Sequence, residues 1–306
     1  MISNEKLAPQ DSLKSNGKSF YWASQFLGGR MGHNAARLYA FCRLLDDMAD
    51  GDIPDGPARL EIIYADLTQN RSSDDPAFAS FQPFMRDMNF SQDVLTALIE
   101  GLLQDSADKV CLTGEIDLLV YAYRVAGTVG LLMCEVLECA DPTAKAYAVD
   151  LGIGMQLTNI ARDVLEDAVM GRRYIPGEWV NDLSPDAICA SAKEPDGPAA
   201  QQVRAAVKRL LELADKFYMS GARGYRFLPL RAHLGIAVAG RVYRQIGVQL
   251  AGRGYAWHEG RQVTSKLSKL RCSMIAFSSL PTRIMPHSGS HDQELHIHLR
   301  GLPHAS

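Results

Sequence analysis

The placement of proline constrains this chain most, because a proline inside a helix removes a backbone hydrogen bond and clashes with the preceding turn. The fourteen prolines are clustered. Long stretches contain none, among them residues 84–141, 143–175, 199–228 and 230–280. Within these stretches apolar residues recur every three or four positions, as at Val203, Val207 and Leu210, and sustained alternation is absent. The pattern predicts an all-α protein.

The length of 306 residues and the 47% share of hydrophobic residues suit one large globular domain. We expect a single helical domain over residues 1–280. Residues 281–306 show little apolar periodicity, so we predict a disordered tail there. The tail contains five of the eight histidines: His287, His291, His296, His298 and His304. A metal site in the tail is the less favoured alternative, because no predictable element places an acidic or cysteine partner beside them.

Charge and composition exclude several classes of protein. The formal net charge of -3 argues against a broadly basic nucleic-acid binder. Uncharged apolar runs end well short of the roughly 18 residues that a membrane span needs. The six cysteines are scattered without a CxxC pair, and the first residues lack the apolar run of a secretory signal. We therefore expect a cytoplasmic protein with reduced thiols.

The first candidate for chemistry is an acidic stripe on one predicted helix, residues 38–50. Tyr39, Arg43, Asp46 and Asp50 follow one another at steps of four, three and four residues, which places them on one helix face. Asp47 points elsewhere. Two like charges one turn apart repel each other, and the repulsion grows when the face is dry. If this face is buried, we expect a bound cation to offset the repulsion between the two carboxylates.

A second acidic stripe lies in residues 154–167, which we predict to form one continuous helix. Asn159, Asp163 and Asp167 recur at four-residue steps, and Gln156 precedes Asn159 by three. The residues between them are mainly apolar, so one side of this helix is expected to pack into the core.

Either acidic pair alone is weak evidence, because surface helices carry such spacing by chance. Together they favour a functional site. Magnesium ions use one or two carboxylates together with substrate phosphates, which suits two facing acidic stripes with a diphosphate between them. The two stripes therefore predict Mg²⁺-assisted departure of diphosphate, with Mn²⁺ as the alternative cation.

Five segments carry a family resemblance, in family order over roughly residues 15–275. They are KSFYWAS at 18–24, LYAFCRLLDDMAD at 38–50, YRVAGTVG at 123–130, QLTNIARDVLEDAVMGRRYIP at 156–176 and VYRQIGVQLAGRGYAWHEGRQVTSK at 242–266. They resemble the signature blocks of the squalene and phytoene synthase family, and the last two are most similar to the bacterial phytoene synthases.

The resemblance implies an isoprenoid-synthase fold, in which helices enclose a central cavity. It also implies a transferase that joins two geranylgeranyl diphosphates head to head, through prephytoene diphosphate, to form phytoene for carotenoid biosynthesis. By the same resemblance Asp46, Asp50, Asn159, Asp163 and Asp167 would bind magnesium. The positions expected to hold or approach diphosphate are Ser19, Tyr39, Arg43, Gln156, Arg162 and Tyr243, and those expected to line the reaction cavity are Phe20 and Tyr121.

Two alternatives stay open at this point. The first is a squalene or dehydrosqualene synthase that uses farnesyl diphosphate, because spacing does not reveal cavity depth. The second is a non-catalytic, lipid-binding relative with the same fold. NADPH is not expected for phytoene formation, and neither is a nucleic-acid partner. Because the product is insoluble in water, we expect transient contact with a membrane surface. The oligomeric state, the product stereochemistry and the proton-removing group stay open.

Overall fold

The structure is a computed structural model that describes residues 8–107, 109–284 and 290–305. Its described part is an assembly of α-helices around a central cavity, as the sequence predicts. The helices are α1 Pro9–Asn16, α2 Lys18–Ser24, α3 Gly29–Ala49, α4 Gly56–Thr68, α5 Pro76–Asp87, α6 Gln92–Asp105, α7 Glu115–Ala122, α8 Thr128–Val136, α9 Ala144–Arg162, α10 Val164–Val169, α11 Pro185–Ser191, α12 Pro198–Arg223, α13 Leu230–Gly252 and α14 Lys266–Ala276.

A minimal parallel sheet joins two loops beside the cavity. Its strands are β1 Val110–Cys111 and β2 Arg172–Arg173, with Val110 paired to Arg172. The Arg173 guanidinium contributes a hydrogen bond from Nη2 to the Leu112 carbonyl at 3.3 Å. This small sheet fixes the backbone that carries Arg172 at the edge of the cavity.

Helix α9 is central to the fold and packs on α8, α12 and α13. Glycine makes this packing close: a Cβ on Gly152 would lie 2.3 Å from the Ala126 carbonyl oxygen, and one on Gly130 would lie 2.3 Å from that of Ala148. A side chain at either position would collide with backbone. Gly130 of the segment YRVAGTVG thus serves close helix packing, and one turn of that segment, Tyr123–Gly127, is a π-helix.

Helix α3 turns one face into the core and another toward the cavity. Leu38, Leu45 and Met48 are fully buried. Phe41 stacks on Phe81 of α5 with ring centroids 3.5 Å apart. Because these apolar side chains fix the rotation of the helix, the polar stripe is left facing the cavity.

The second acidic stripe does not lie on one continuous helix, which corrects the prediction for residues 154–167. Helix α9 ends at Arg162, and Asp163 adopts φ −103° and ψ 15° before α10 begins at Val164. Hydrogen bonds still run from the Asp163 amide to the Asn159 carbonyl and from the Asp167 amide to the Asp163 carbonyl, at 2.9 and 2.8 Å. The four-residue spacing therefore survives across a kink.

The described part of the tail packs on the helical core, in contrast to the predicted disorder. Residues 293–299 form a 3-10 turn, and His296, Leu299 and Ala305 are buried. The Tyr123 hydroxyl donates a hydrogen bond to the Pro303 carbonyl oxygen. Periodicity did not reveal this contact, because a segment without a regular helix can bury isolated side chains. His287 lies outside the described residues.

By length and composition, one helical stretch of the described chain, residues 115–136, could cross a membrane. Half of its apolar window is buried within the protein. Val125 and Val129 from this stretch line the central cavity. We therefore interpret it as a core helix.

Candidate active site

A single cavity of about 530 Å³ joins the two acidic stripes to an apolar interior. This volume is in the range typical of small-molecule sites. The stripes form its polar end. Aliphatic and small side chains from α7 to α9 form one wall of the rest: Val125, Ala126, Val129, Met133, Ala148 and Leu151.

The first stripe is held by two arginines from different parts of the chain. Arg43 Nη1 lies 2.7 Å from Asp46 Oδ2, and the same guanidinium also pairs with Asp47. Arg172 Nη1 lies 2.6 Å from Asp50 Oδ1. Asp47 is buried, whereas Asp46 and Asp50 line the cavity, as the helical spacing predicts.

The second stripe is held at the kink between α9 and α10. Arg162 Nε lies 2.7 Å from Asp163 Oδ1, and Arg261 Nε approaches the same oxygen at 3.2 Å. Asn159 donates from Nδ2 to Gln156 Oε1 at 3.3 Å. Its own Oδ1 is buried without a hydrogen-bond partner among the described residues. A buried oxygen without a donor is a position that a cation would satisfy.

The acidic side chains are electrostatically crowded. Burial, followed by the charges of Asp50 and Asp105, raises the pKa of Asp46 to about 7 although Arg43 opposes the shift. Burial and then the charge of Asp163 raise the pKa of Asp167 to about 8. The Asp46 side chain lines the cavity and is 44% accessible. Desolvation is nevertheless the largest cause of the shift.

Asp105 is a site residue that sequence reasoning missed. It accepts hydrogen bonds from the Tyr121 and Tyr174 hydroxyls at 2.8 and 2.7 Å, and the two rings stack 4.8 Å apart. Burial raises its pKa to about 6 despite these hydrogen bonds. Its charge acts on both Asp46 and Asp167, so the two stripes lie within electrostatic reach of one carboxylate.

A signal for Asp105 was present in the sequence. Asp105 is the last residue of helix α6, where the helix dipole disfavours a negative charge. Arg172 and Arg261, which the sequence search also missed, offer no such signal. They come from a short strand and a loop, and only the tertiary fold brings them to the site.

Three aromatic side chains pack together in the cavity beside the first stripe. The Phe20 ring lies 4.9 Å from Tyr243 and 6.0 Å from Tyr39, measured between centroids. Burial raises the pKa of Tyr39 and Tyr243 above the usual tyrosine value, so both hydroxyls are protonated at neutral pH. They present O–H donors to the cavity.

The structure brings most of the predicted site residues to this cavity. Those that line it are Phe20, Tyr39, Arg43, Asp46, Asp50, Tyr121, Gln156, Asn159, Arg162, Asp163, Asp167 and Tyr243. Ser19 is the exception, since it is half-buried on α2 and does not line the cavity. Its helix turns Phe20 and Ala23 inward instead.

The residues present suit a hard divalent cation. Five carboxylates, together with the Asn159 oxygen that has no hydrogen-bond partner among the described residues, form an all-oxygen donor set. Magnesium prefers oxygen donors of this kind over imidazole or thiolate. Burial is the largest cause of the raised pKa values of Asp46 and Asp167, and a bound cation would favour the charged forms of both carboxylates.

A helical fold that encloses an apolar cavity beneath two acidic stripes defines the class of isoprenoid synthases. Residues 13–271 match the Squalene/phytoene synthase family, and the chain belongs to that family. The family acts on prenyl diphosphates, and its enzymes generally depend on divalent metals.

This chain is similar to phytoene synthases from two bacteria. The chain is 35% identical to a phytoene synthase of Rhodobacter capsulatus, over 90% of this chain and 82% of the relative. It is 34% identical to a 15-cis-phytoene synthase of a Paracoccus species, over 88% and 90%. A solved dehydrosqualene synthase superposes with a TM-score of 0.77 at 27% identity, over 90% of this chain and 95% of that one. The squalene synthase HpnC of Alicyclobacillus acidocaldarius shares the fold, with a TM-score of 0.68 at 22% identity over 81% of this chain and 93% of that one.

Proposed function

We propose that this prenyl transferase joins two geranylgeranyl diphosphates head to head and produces phytoene for carotenoid biosynthesis. The observation that carries the proposal is the cluster of five carboxylates at the polar end of one apolar cavity. The choice of a C20 substrate is supported by the similarity to relatives named phytoene synthase.

In this proposal Asp46, Asp50, Asn159, Asp163 and Asp167 hold Mg²⁺. When bound, the cation neutralises charge that develops on the departing diphosphate oxygens. The carboxylates must be ionised for this role. The raised pKa values of Asp46 and Asp167 mean that these two side chains release protons as the cation binds.

The arginines position the diphosphate groups. Arg43, Arg162, Arg172 and Arg261 surround the acidic cluster, and each now pairs with a carboxylate. A guanidinium can offer two parallel N–H donors to phosphate oxygens. Exchange of carboxylate partners for phosphate oxygens would let the four arginines bind substrate while the cation holds the carboxylates.

The apolar wall protects the reacting carbons from water. Departure of the first diphosphate leaves an allylic cation, which the double bond of the second substrate attacks. Loss of a first proton from this adduct closes the ring and gives a cyclopropylcarbinyl diphosphate. Departure of the second diphosphate, rearrangement and loss of one proton complete a C40 hydrocarbon with a central double bond. Because a proton is lost and no hydride is added, the reaction consumes no NADPH. Water would trap either cation, so the dry wall formed by Val125, Val129 and Met133 is required.

Product analysis tests the proposal. The purified protein is incubated with Mg²⁺ and either geranylgeranyl or farnesyl diphosphate, with and without NADPH, and the hydrocarbon is identified by mass spectrometry. We expect a C40 product from the C20 substrate, unchanged by NADPH. A C30 product formed in preference would establish a squalene or dehydrosqualene synthase, and no product from either substrate would establish a non-catalytic relative.

We also propose that the enzyme works in the cytoplasm at a membrane surface, through helix α14. This helix buries two polar side chains and leaves large apolar side chains exposed. Its inward face carries Lys269 and Ser273, which bond to the Lys18 carbonyl oxygen and the Trp22 Nε1 at 3.2 and 2.9 Å. Its outward face carries large apolar side chains, including Leu267 at 76% exposure. Such a face suits a partner that is itself apolar.

An anionic bilayer is the partner that fits this face. Exposed Lys266 and Arg271 lie among the apolar side chains, which is the pattern of helices that rest in a lipid interface. Helix α2, which carries the cavity residue Phe20, is in direct contact with α14. The face therefore lies one helix away from a cavity that receives lipid substrates.

Vesicle co-sedimentation tests the membrane contact. The probe is phosphatidylcholine with about 30% phosphatidylglycerol, and the variant combines Leu267→Glu with Met274→Glu. We expect wild type and the control Met219→Glu, whose residue is 70% exposed on α12, to bind vesicles and the double variant to lose binding. Equal sedimentation of all three proteins, or a dimer that the double variant dissociates, would overturn the assignment.

A further inference from the structure

A second cluster of metal-ligating side chains lies where the tail meets helix α9. His291 Nε2 is 2.7 Å from Asp150 Oδ2, and His296 Nε2 is 2.8 Å from Asp150 Oδ1. The ligand atoms of the three residues all lie within 4.8 Å of one another. The Asp150 and His296 side chains are 0% and 2% exposed, and that of His291 is 9% exposed. His291 and His296 are 141 and 146 positions away from Asp150 in the sequence, yet the three side chains meet at one buried point.

This cluster is separate from the acidic stripes. Asp150 is on the same helix as Asn159 but does not line the cavity, whereas its neighbours Tyr147 and Leu151 do. His291 packs edge-on against the Tyr147 ring, with centroids 5.2 Å apart. The tail therefore meets the outer side of the cavity wall, away from the diphosphate end.

The donor set selects a different class of cation from that of the active site. Two imidazoles and one carboxylate form a ligand set that zinc uses, with nitrogen and oxygen ligands at about 2.0–2.2 Å. Magnesium disfavours imidazole. Ser220 donates from Oγ to Asp150 Oδ2 at 2.5 Å, and a hydrogen bond of this kind orients a ligating carboxylate from the outer shell.

We propose that Asp150, His291 and His296 bind one Zn²⁺ ion, which fastens the C-terminal segment to helix α9. A displacement of roughly half an ångström would open the present contacts of 2.7 and 2.8 Å to the spacing between ligands of a tetrahedral ion. The fourth position is left for water. The ion is structural, since the site faces away from the reacting groups.

The way in which the tail is held supports this role. Its described part has one short 3-10 turn and few large buried apolar side chains, of which Leu299 is the main one. The remaining contacts include a hydrogen bond from Arg223 Nη2 to the Ser290 carbonyl at 3.3 Å. Apolar burial of this extent is small for a segment of sixteen residues. A metal ion that joins two tail histidines to a core carboxylate would supply the missing attachment.

The test measures Zn²⁺ binding to the full-length protein by calorimetry, with excess Mg²⁺ present to occupy the acidic stripes. His296→Ala removes a ligand. His298→Ala is the matched control, because His298 is exposed on the same 3-10 turn. We expect wild type and His298→Ala to bind one Zn²⁺ at least 100-fold more tightly than His296→Ala. Saturating Zn²⁺ should raise the Tm of the first two proteins by about 5 °C.

A spectroscopic measurement on the wild type removes dependence on how the variants fold. Co²⁺ bound by nitrogen and oxygen ligands in four-coordinate geometry gives intense visible absorption, which Zn²⁺ should displace at one equivalent. Absence of saturable Zn²⁺ binding, or equal affinity in His296→Ala and wild type, would overturn the proposal. Either result would establish that the tail is held without a metal ion, by its hydrogen bonds and its buried side chains.

Discussion

The two acidic stripes use the same spacing but are held differently. On α3, Asp46 projects from an unbroken helix and pairs with Arg43, which also binds Asp47. At the end of α9, Asp163 occupies a kink and pairs with Arg162 and Arg261. Loss of Asp46 would leave Arg43 with a second carboxylate. Loss of Asp163 would deprive two guanidinium groups of one shared partner.

The ion pair of the second stripe is also more deeply buried than that of the first. The Asp46 side chain is 44% accessible, whereas Asp163 is 18% accessible and its partner Arg162 only 10%. A buried pair strongly destabilises the fold when one member is removed, because the other is left as an uncompensated charge. Equal roles in catalysis therefore need not mean equal roles in stability.

The largest expected effect is common to both stripes. Asp46→Asn and Asp163→Asn should each lower kcat by about 10³-fold, because each removes a ligand for the charge that stabilises diphosphate departure. Steady-state assays at saturating Mg²⁺ measure the effect. Asp52→Asn, an exposed carboxylate just beyond the first stripe, is the control and should keep wild-type activity. Near-normal turnover in either stripe variant would remove that stripe from the metal site.

The next effect concerns the geometry of the arginine. Arg43→Lys should lower kcat/KM by about tenfold to a hundredfold, since an ammonium group cannot reproduce two parallel N–H donors toward phosphate. Arg30→Lys on the same helix is the matched control, because Arg30 is 77% exposed. Unchanged kinetics in Arg43→Lys would show that Arg43 only pairs with the neighbouring aspartates.

Stability separates the two stripes. In metal-free protein at pH 8, Asp163→Asn should lower Tm by about 5 °C, because Arg162 and Arg261 lose their shared partner. Asp46→Asn should instead raise Tm by about 2 °C, since it removes a carboxylate whose charge is disfavoured by burial. Differential scanning calorimetry in the presence of EDTA measures the Tm of both variants. Shifts of the same sign in both variants would contradict the contrast.

The smallest effect is the pH dependence of the metal-free fold. The pKa values of Asp46 and Asp167 are raised to about 7 and 8, above the ordinary value of about 3.9. The folded state therefore binds more protons than the unfolded state between these limits, and stability falls as pH rises from about 4 to 8. Tm should decline over this range in EDTA, and the decline should be smaller with saturating Mg²⁺. A Tm that rises from pH 5 to 8 in EDTA would contradict the sign.

The sequence predicts the stripes but not what surrounds them. The helical period alone places Asp46 and Asp50 together, because side-chain direction follows from spacing within one element. Arg172 and Arg261 reach the site only through tertiary packing, which spacing does not record. The kink at Asp163 was also missed, since the apolar period continues through it.

The tail shows a different limit of the sequence. His291 and His296 have no acidic neighbour that a regular element would place beside them. Their partner Asp150 is more than 140 positions away. Composition therefore predicts disorder where a buried carboxylate provides a docking point.

The central claim is that both stripes hold the cations of a single diphosphate site. Titration of Mg²⁺ by calorimetry in the presence of inorganic diphosphate tests it with wild type, Asp46→Asn, Asp163→Asn and the double variant. We predict that either substitution weakens Mg²⁺ binding by at least tenfold. The double variant should bind only slightly more weakly than the single variants, because both substitutions disrupt the same site. Losses that add fully in the double variant, or a stripe whose substitution leaves binding unchanged, would contradict the account.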